Sequence, residues 1–120
     1  MENEFITIDT NNCLRLTHRK HIPTNEIIYM ESEINYTNVC TADNRKHISS
    51  FTLKILEARI VKKDFLRINR GCLVNLNHVT HIIGIKGNSQ ARLSDGSVLV
   101  IARRKYEIIK NRLDSTMMIV

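Results

Sequence analysis

A mainly β fold, an antiparallel scaffold of about ten short strands with only two short helices, is what this sequence predicts. Three observations carry that expectation. Apolar and polar residues alternate with period two in the first windows, at Ile6–Asp9 and Leu14–Thr17, and further short apolar-rich windows follow down the chain, as short strands do. Turn-forming clusters, among them Asp43-Asn44-Arg45, Gly87-Asn88 and Asp95-Gly96, separate those windows at close intervals. Only two windows, one after Thr52 and one after Ala102, change to the helical period.

Along the chain, Ile6 and Ile8 alternate with Thr7 and Asp9, and Leu14 and Leu16 with Arg15 and Thr17. These read as two strands joined by a turn at Thr10-Asn11-Asn12. Pro23 has no N–H to give a ladder and is expected to end that pairing. Residues 26–31 and 36–41 follow as strands across a short polar link, Ser32-Glu33-Ile34-Asn35, and Lys46–Ser49 returns after the next turn. Leu53, Leu56 and Ile60 then fall on one face of a helix, with Thr52 as N-cap and Lys62-Lys63 suiting the negative pole of the macrodipole. Residues 65–68 and Cys72–Asn75 are strands flanking Asn69-Arg70-Gly71, where glycine lets the backbone turn tightly. Residues 79–85, 90–93 and 97–101 close the β pattern, and Asp95-Gly96 is among the stronger hairpin signals. A last helix is expected over 103–113, burying Tyr106, Ile109 and Leu113. With no internal repeat, linker or low-complexity segment, residues 1–120 read as one domain.

Composition excludes several classes. At 120 residues the chain can bury a core without staples. None of its apolar runs approaches a bilayer span, and its first residues lack both the basic and the apolar region of a secretory signal. A cytoplasmic protein without membrane insertion is expected. Cys13, Cys40 and Cys72 are odd in number and form no CxxC pair, so reduced, mostly buried thiols are expected and neither a zinc knuckle nor a redox motif. Nucleophile elbow, Walker loop, dinucleotide fingerprint and HExxH are absent. His18 and His21 share HxxH spacing, but a strand or turn would not keep both rings on one face. No enzyme, no metal and no cofactor are expected.

Net charge is +6, and it is polarised: residues 1–34 carry −3 and residues 35–120 carry +9. A cationic region suits a polyanion, because each cation placed near a phosphate releases condensed counterions. Two windows concentrate the signal. In residues 59–75, Arg67, Asn69 and Arg70 interrupt apolar positions; arginine can pair in bidentate fashion with guanine, and asparagine with adenine. In the second window, Arg103-Arg104-Lys105 set three cations at the start of the last helix, against the positive end of its dipole. That placement costs a few tenths of a kcal/mol per charge, and a partner anion would reverse it.

These residues carry a family resemblance. Ile28-Tyr29-Met30-Glu31, the stretch from Phe65 to Asn75 and the stretch from Asp95 to Arg104 resemble, in order and spacing, the LytTR (LytR/AlgR-type) DNA-binding domain of bacterial response regulators. The likeness covers roughly residues 5 to 113 and marks this chain as a stand-alone member. It implies an elongated sandwich of antiparallel sheets whose loops enter successive major grooves. It also implies transcriptional regulation at direct-repeat promoter sites, one domain on each repeat. Carried over by position, the loop after Tyr29 would offer Asn35, Thr37 and Asn38. The family's central His-Arg-Ser appears as Asn69-Arg70-Gly71, making Asn69 and Arg70 base or phosphate contacts. The family's final Ser-Arg-Arg appears as Ala102-Arg103-Arg104, with Arg104 reading a base and Arg103 and Lys105 on the backbone.

The implied partner is double-stranded DNA. A homodimer on DNA and a separate regulatory protein, such as a membrane-bound inhibitor, are both compatible with that reading. No receiver module precedes the domain, and 34 N-terminal residues that read as strands supply no acidic phosphoacceptor pocket, so phosphorylation control within the chain is not expected; Met1 is consistent with a complete chain. Asn69, Gly71 and Ala102 depart from the family pattern and motivate an alternative, a protein-interaction module on the same scaffold with lost or weakened DNA binding. Retention of Arg70, Arg103, Arg104 and Lys105 favours DNA.

Overall fold

Period-two alternation becomes, in the computed structural model, two stacked sheets and a small third one. The structure describes residues 13–60, 64–113 and the backbone of 118–119. The expected strand at Ile6–Ile8, the Thr10-Asn11-Asn12 turn and Lys62-Lys63 lie outside those residues. Strands β1 (Cys13–Arg15) and β2 (His21–Pro23) form an antiparallel pair. Strands β3 (Ile27–Ser32), β4 (Thr37–Thr41), β5 (Lys46–Ser49), β6 (Phe65–Asn69) and β7 (Cys72–Asn75) form an antiparallel sheet in the order β5-β4-β3-β7-β6. Strands β8 (Val79–Ile85), β9 (Asn88–Leu93), β10 (Val98–Ile101) and β11 (Met118–Ile119) form the other, ordered β10-β9-β8-β11. Helix α1 (Leu53–Arg59) lies between β5 and β6, and α2 (Tyr106–Arg112) between β10 and β11. The molecule is elongated, 49 × 29 × 26 Å.

The mainly β, antiparallel expectation holds through β10. Strand β11 departs from it, pairing parallel to β8, because α2 supplies the crossover that a parallel neighbour needs. Pro23 ends the β1–β2 pairing as expected: it is the last residue of β2, opposite Cys13, an end position where a missing N–H is tolerated.

The five-stranded sheet is the middle layer, and its two faces feed two cores. Ile28, Ile68, Cys72 and Val74 point toward Val79, Ile82, Ala91, Leu93, Leu99 and Ile101 of the second sheet, with Tyr106 and Ile109 of α2 closing that core. Ile27, Met30, Val39 and Leu73 point the other way, toward Leu14, Leu16 and Ile22 of β1 and β2 and Leu53 and Leu56 of α1. Period two alone would send Ile27 and Met30 to opposite faces. A register shift between Ile27 and Tyr29 resets the alternation, so that both reach the same core.

Helix α1 starts as its sequence predicts: Thr52 Oγ1 accepts from the Ile55 amide at 3.3 Å. The last helix is shorter than expected. Arg103–Lys105 form a 3-10 turn, and α2 begins at Tyr106. Tyr106 and Ile109 are buried and Leu113 packs against them, as their spacing predicts.

Buried polar side chains join the layers. Ser49 Oγ donates to the Leu16 carbonyl at 2.6 Å and accepts from the Phe51 amide at 3.0 Å. Asn75, 3% exposed, donates to the Ile27 carbonyl at 2.9 Å and accepts from the Asn77 amide at 3.0 Å. Near the middle of β3 the Tyr29 hydroxyl is hydrogen-bonded with Cys40 and Ser97; burial pushes its pKa up to about 12. Burial likewise raises the thiols of Cys40 and Cys72, which keeps both protonated and unreactive. Asn75→Ala would leave the Ile27 carbonyl buried without its donor, and we expect a loss of about 1–3 kcal/mol in urea unfolding at unchanged secondary structure. A variant as stable as the parent would show that this bond does not hold β3 to β7.

Candidate nucleic-acid interface

Three loops reach one end of the molecule, and the hydrogen-bonding pattern shows why. Strand β3 ends at Ser32 where β7 begins, with Glu31 opposite Cys72, and the Ser32 amide donates to the Gly71 carbonyl at 2.9 Å. The β3–β4 loop therefore lies beside the β6–β7 turn, Asn69-Arg70-Gly71. The end of β10 is tied to the same turn. Ile68, at a register shift in the β6–β7 ladder, turns its carbonyl outward to accept from the Ala102 amide at 2.8 Å. Asn69 Nδ2 donates to the Val100 carbonyl at 2.7 Å.

Asn69 does more than join strands. Its Oδ1 accepts from the Gly71 amide at 2.8 Å, the local side-chain turn that asparagine favours. Gly71 itself is not in a left-handed conformation. Glycine stands there because of close approach: a Cβ would lie 3.2 Å from Ser32 Oγ. Arg67, read from the sequence as a donor beside Asn69 and Arg70, instead anchors the turn from below. Its Nε and Nη2 donate to the Arg70 carbonyl at 3.2 and 3.0 Å, and its Nη1 pairs with Glu57 of α1. That pairing spans elements distant in sequence, so no local pattern announces it.

The predicted site residues divide into two groups. Arg70, Arg103 and Arg104 are exposed and Lys105 is half-buried; among the described residues none of the four has a carboxylate partner. The Arg103 side chain lies against Gly87 in the β8–β9 turn, where a Cβ would come within 2.7 Å of its Nη1. Asn35 is exposed at the β3–β4 tip. Thr37 and Asn38 are placed otherwise, as the first residues of β4. Thr37 is fully buried and donates to the Phe51 carbonyl at 2.9 Å. Asn38 is 7% exposed and donates to Glu33 Oε2 at 3.3 Å. Their polar groups are used inside the fold and are not offered to a ligand. The tip instead presents Ile34, 95% exposed, with Tyr36 beside it, over an open cleft of about 250 Å³ that reaches Thr52 and Leu53. An isoleucine inside a polar link was the signal for it in the sequence.

The described aspartates, Asp43, Asp64 and Asp95, occupy the β4–β5 turn, the start of β6 and the β9–β10 turn, all at the opposite ends of their strands, whereas Glu31, near the end of β3, and Glu33, in the β3–β4 loop, lie at the cationic end. Asp43 is held below the usual carboxylate range by the Thr41 hydroxyl. Among the described residues no group of three or more His, Cys, Asp or Glu is placed to hold a metal ion, and His18 and His21 are both exposed. No described helix is long and apolar enough to cross a membrane.

Two variants separate the roles of the Asn69 amide. Asn69→Asp keeps an acceptor for Gly71 but loses the donor to Val100; Asn69→Ala loses both. We expect faster hydrogen exchange at the Gly71 amide in Asn69→Ala than in Asn69→Asp, with a stability loss of about 1 kcal/mol in the former. Equal exchange in the two would show that the side-chain turn is not what orders this loop.

Comparison with known proteins shows the family and the fold. The family of LytTr DNA-binding domains matches residues 18–114. The chain is 28% identical over 93 residues to the sensory transduction protein LytT of Bacillus subtilis (strain 168), a match covering 77% of this chain and 38% of that protein. It thus spans about two-fifths of that relative's length. Its fold is similar to that of the LytTr DNA-binding domain of a Bacillus cereus protein described as a methyl-accepting/DNA response regulator. There the TM-score is 0.67 at 20% identity, over 82% of this chain and 92% of the other. With most of its length inside the family match and its fold shared, the chain belongs to the LytTR family of DNA-binding domains.

Proposed function

We propose that the chain is a transcriptional regulator, acting in the cytoplasm, that binds direct-repeat sites in duplex DNA with one domain on each repeat. The observation that carries this reading is the convergence of Arg70, Arg103, Arg104 and Lys105 at one end of the sandwich, without carboxylate partners among the described residues. A surface of this kind gains by releasing counterions from a phosphate backbone. Its short turns carry long side chains that reach past the protein surface toward base edges in the major groove.

Within this reading Arg104 reads a base, Arg70 contacts a base or a phosphate, and Lys105 lies along the backbone. Asn35 brings the β3–β4 tip to the neighbouring groove. Asn69 is a positioning residue, since both ends of its amide are engaged. Of the three departures from the family pattern, only Asn69 joins the loops through its side chain; Gly71 and Ala102 do so through backbone groups that any non-proline residue would supply. Retention of Arg70, Arg103, Arg104 and Lys105 is what favours DNA over a decayed site.

Selection of bound sequences from a random duplex pool tests the proposal and reports the repeat. Arg104→Ala is expected to cost about 1–3 kcal/mol on the selected site and to relax preference at one position. Lys105→Ala is expected to weaken all duplexes alike and to flatten the salt dependence by about one unit. If no sequence is enriched, and affinity for duplex DNA barely responds to salt, the proposal is wrong.

A further inference from the structure

The β8–β9 hairpin tip lies at the same end of the molecule, although no reading of the sequence assigned it a role. Ile101, the last residue of β10, pairs with Ser89 near the start of β9, so the tip that precedes Ser89 projects beyond the point where β10 gives way to Arg103. Ile85 and Asn88 pair across the tip and leave Lys86 and Gly87 as its two-residue link. The tip has one specified shape. Gly84 and Gly87 both hold positive φ, near +91°, and a Cβ on Gly84 would meet the Asn88 carbonyl oxygen at 2.3 Å, so neither position admits another L residue without strain. Ile85, 74% exposed, Lys86 and Asn88 stand outward.

The Arg103 side chain lies along Gly87, with Cγ, Cζ and Nη1 all within 4 Å of where a Cβ would be. Its stem and guanidinium together fill the space that glycine leaves open. Arg103, although exposed, thus lies against the hairpin tip, and its charge adds to that of Lys86.

Resting on the DNA-binding reading above, we propose that the β8–β9 tip is a fourth DNA-contacting segment. Lys86 is a phosphate contact, and Arg103 braces the tip through Gly87. A lysine on a rigid two-residue link meets the DNA backbone as a point charge. It contributes affinity that does not depend on base sequence and falls with salt.

The test measures affinity of the full chain for its selected duplex and for a random duplex across a salt series. The variants are Lys86→Ala, Arg103→Ala, the double variant, and Arg92→Ala as a control. Arg92 is exposed near the opposite end of β9 and removes the same charge. Lys86→Ala is expected to weaken both duplexes several-fold by a similar factor and to lower the salt slope by about one, while Arg92→Ala changes neither. In the Arg103→Ala background the Lys86→Ala effect is expected to shrink, because an unbraced tip no longer holds the charge in place. An unchanged slope in Lys86→Ala, on a parent chain that binds DNA with steep salt dependence, overturns this proposal and leaves the DNA-binding reading standing. Equal losses from Lys86→Ala and Arg92→Ala overturn it as well, since diffuse charge would then account for both. A parent chain that binds no duplex removes both proposals together. Lys86 lies in an exposed turn with no described side-chain contact, so its variant is expected to melt with the parent.

Discussion

Everything in this fold depends on a middle sheet that is buried on both faces. Strand β7 shows the constraint most plainly, since all four of its residues are buried. Cys72 and Val74 serve one core and Leu73 the other. A slip of one residue would exchange the two faces and empty both cores at once. Burial of several large aliphatic side chains, each worth about 1.5–3 kcal/mol, therefore defends a single register. That register sets the site. Because Glu31 must face Cys72, the β3–β4 loop and the β6–β7 turn have to emerge side by side.

The second sheet is brought to the same end by a different device. The register shift at Ile68 takes one residue out of the β6–β7 ladder, and the carbonyl so released is satisfied by the Ala102 amide. A buried backbone acceptor without a donor would be expensive, so the irregularity and the contact with the β10 end stabilise each other. Asn69 doubles the connection through Val100. The basic turn after β10 is thus attached to the middle sheet and not merely packed near it. Two features that weaken an ordinary hairpin, a bulge and an asparagine at its end, are here what fixes the relative positions of loops from two sheets.

The second sheet's β9 and β10 alternate because they face one core. The middle strands, buried on both faces, were legible instead as short apolar-rich runs between turn residues, and both helices from their helical period. Thr52 as N-cap and the Asp95-Gly96 turn were legible because local chemistry decides them. The failures are long-range. Strand β11 has two residues, too few to show any period. Thr37 and Asn38 were expected as contacts only through the family resemblance, carried over by position. Their burial comes from Phe51 and Glu33, partners that periodicity does not bring together. The cations were easier to place. Arginine and lysine without partners have to stay in water, so their positions on turns followed from the strand boundaries alone.

Short polar side chains and long cationic ones consequently divide the work. Thr37, Asn38 and Asn69 can reach only near neighbours and are engaged there, with the Phe51 carbonyl, the Glu33 carboxylate and the Val100 carbonyl respectively. Arg70, Arg104 and Lys105 can reach beyond the turn that carries them. This division has an energetic consequence for the proposed function. Phosphate contacts add affinity for any duplex, and they fade together as salt rises. Discrimination among sequences has to come from the few side chains that reach bases, at about 1–3 kcal/mol for each good bidentate pair. One domain with one or two such arginines can supply only part of the difference between a specific site and random DNA, which spans about 4–10 kcal/mol for typical specific binders. A second domain on an adjacent repeat would supply the remainder by raising effective concentration without any new type of contact. The proposed binding to direct repeats would meet that need, and the bonds that join the loops within one domain fix the spacing between them.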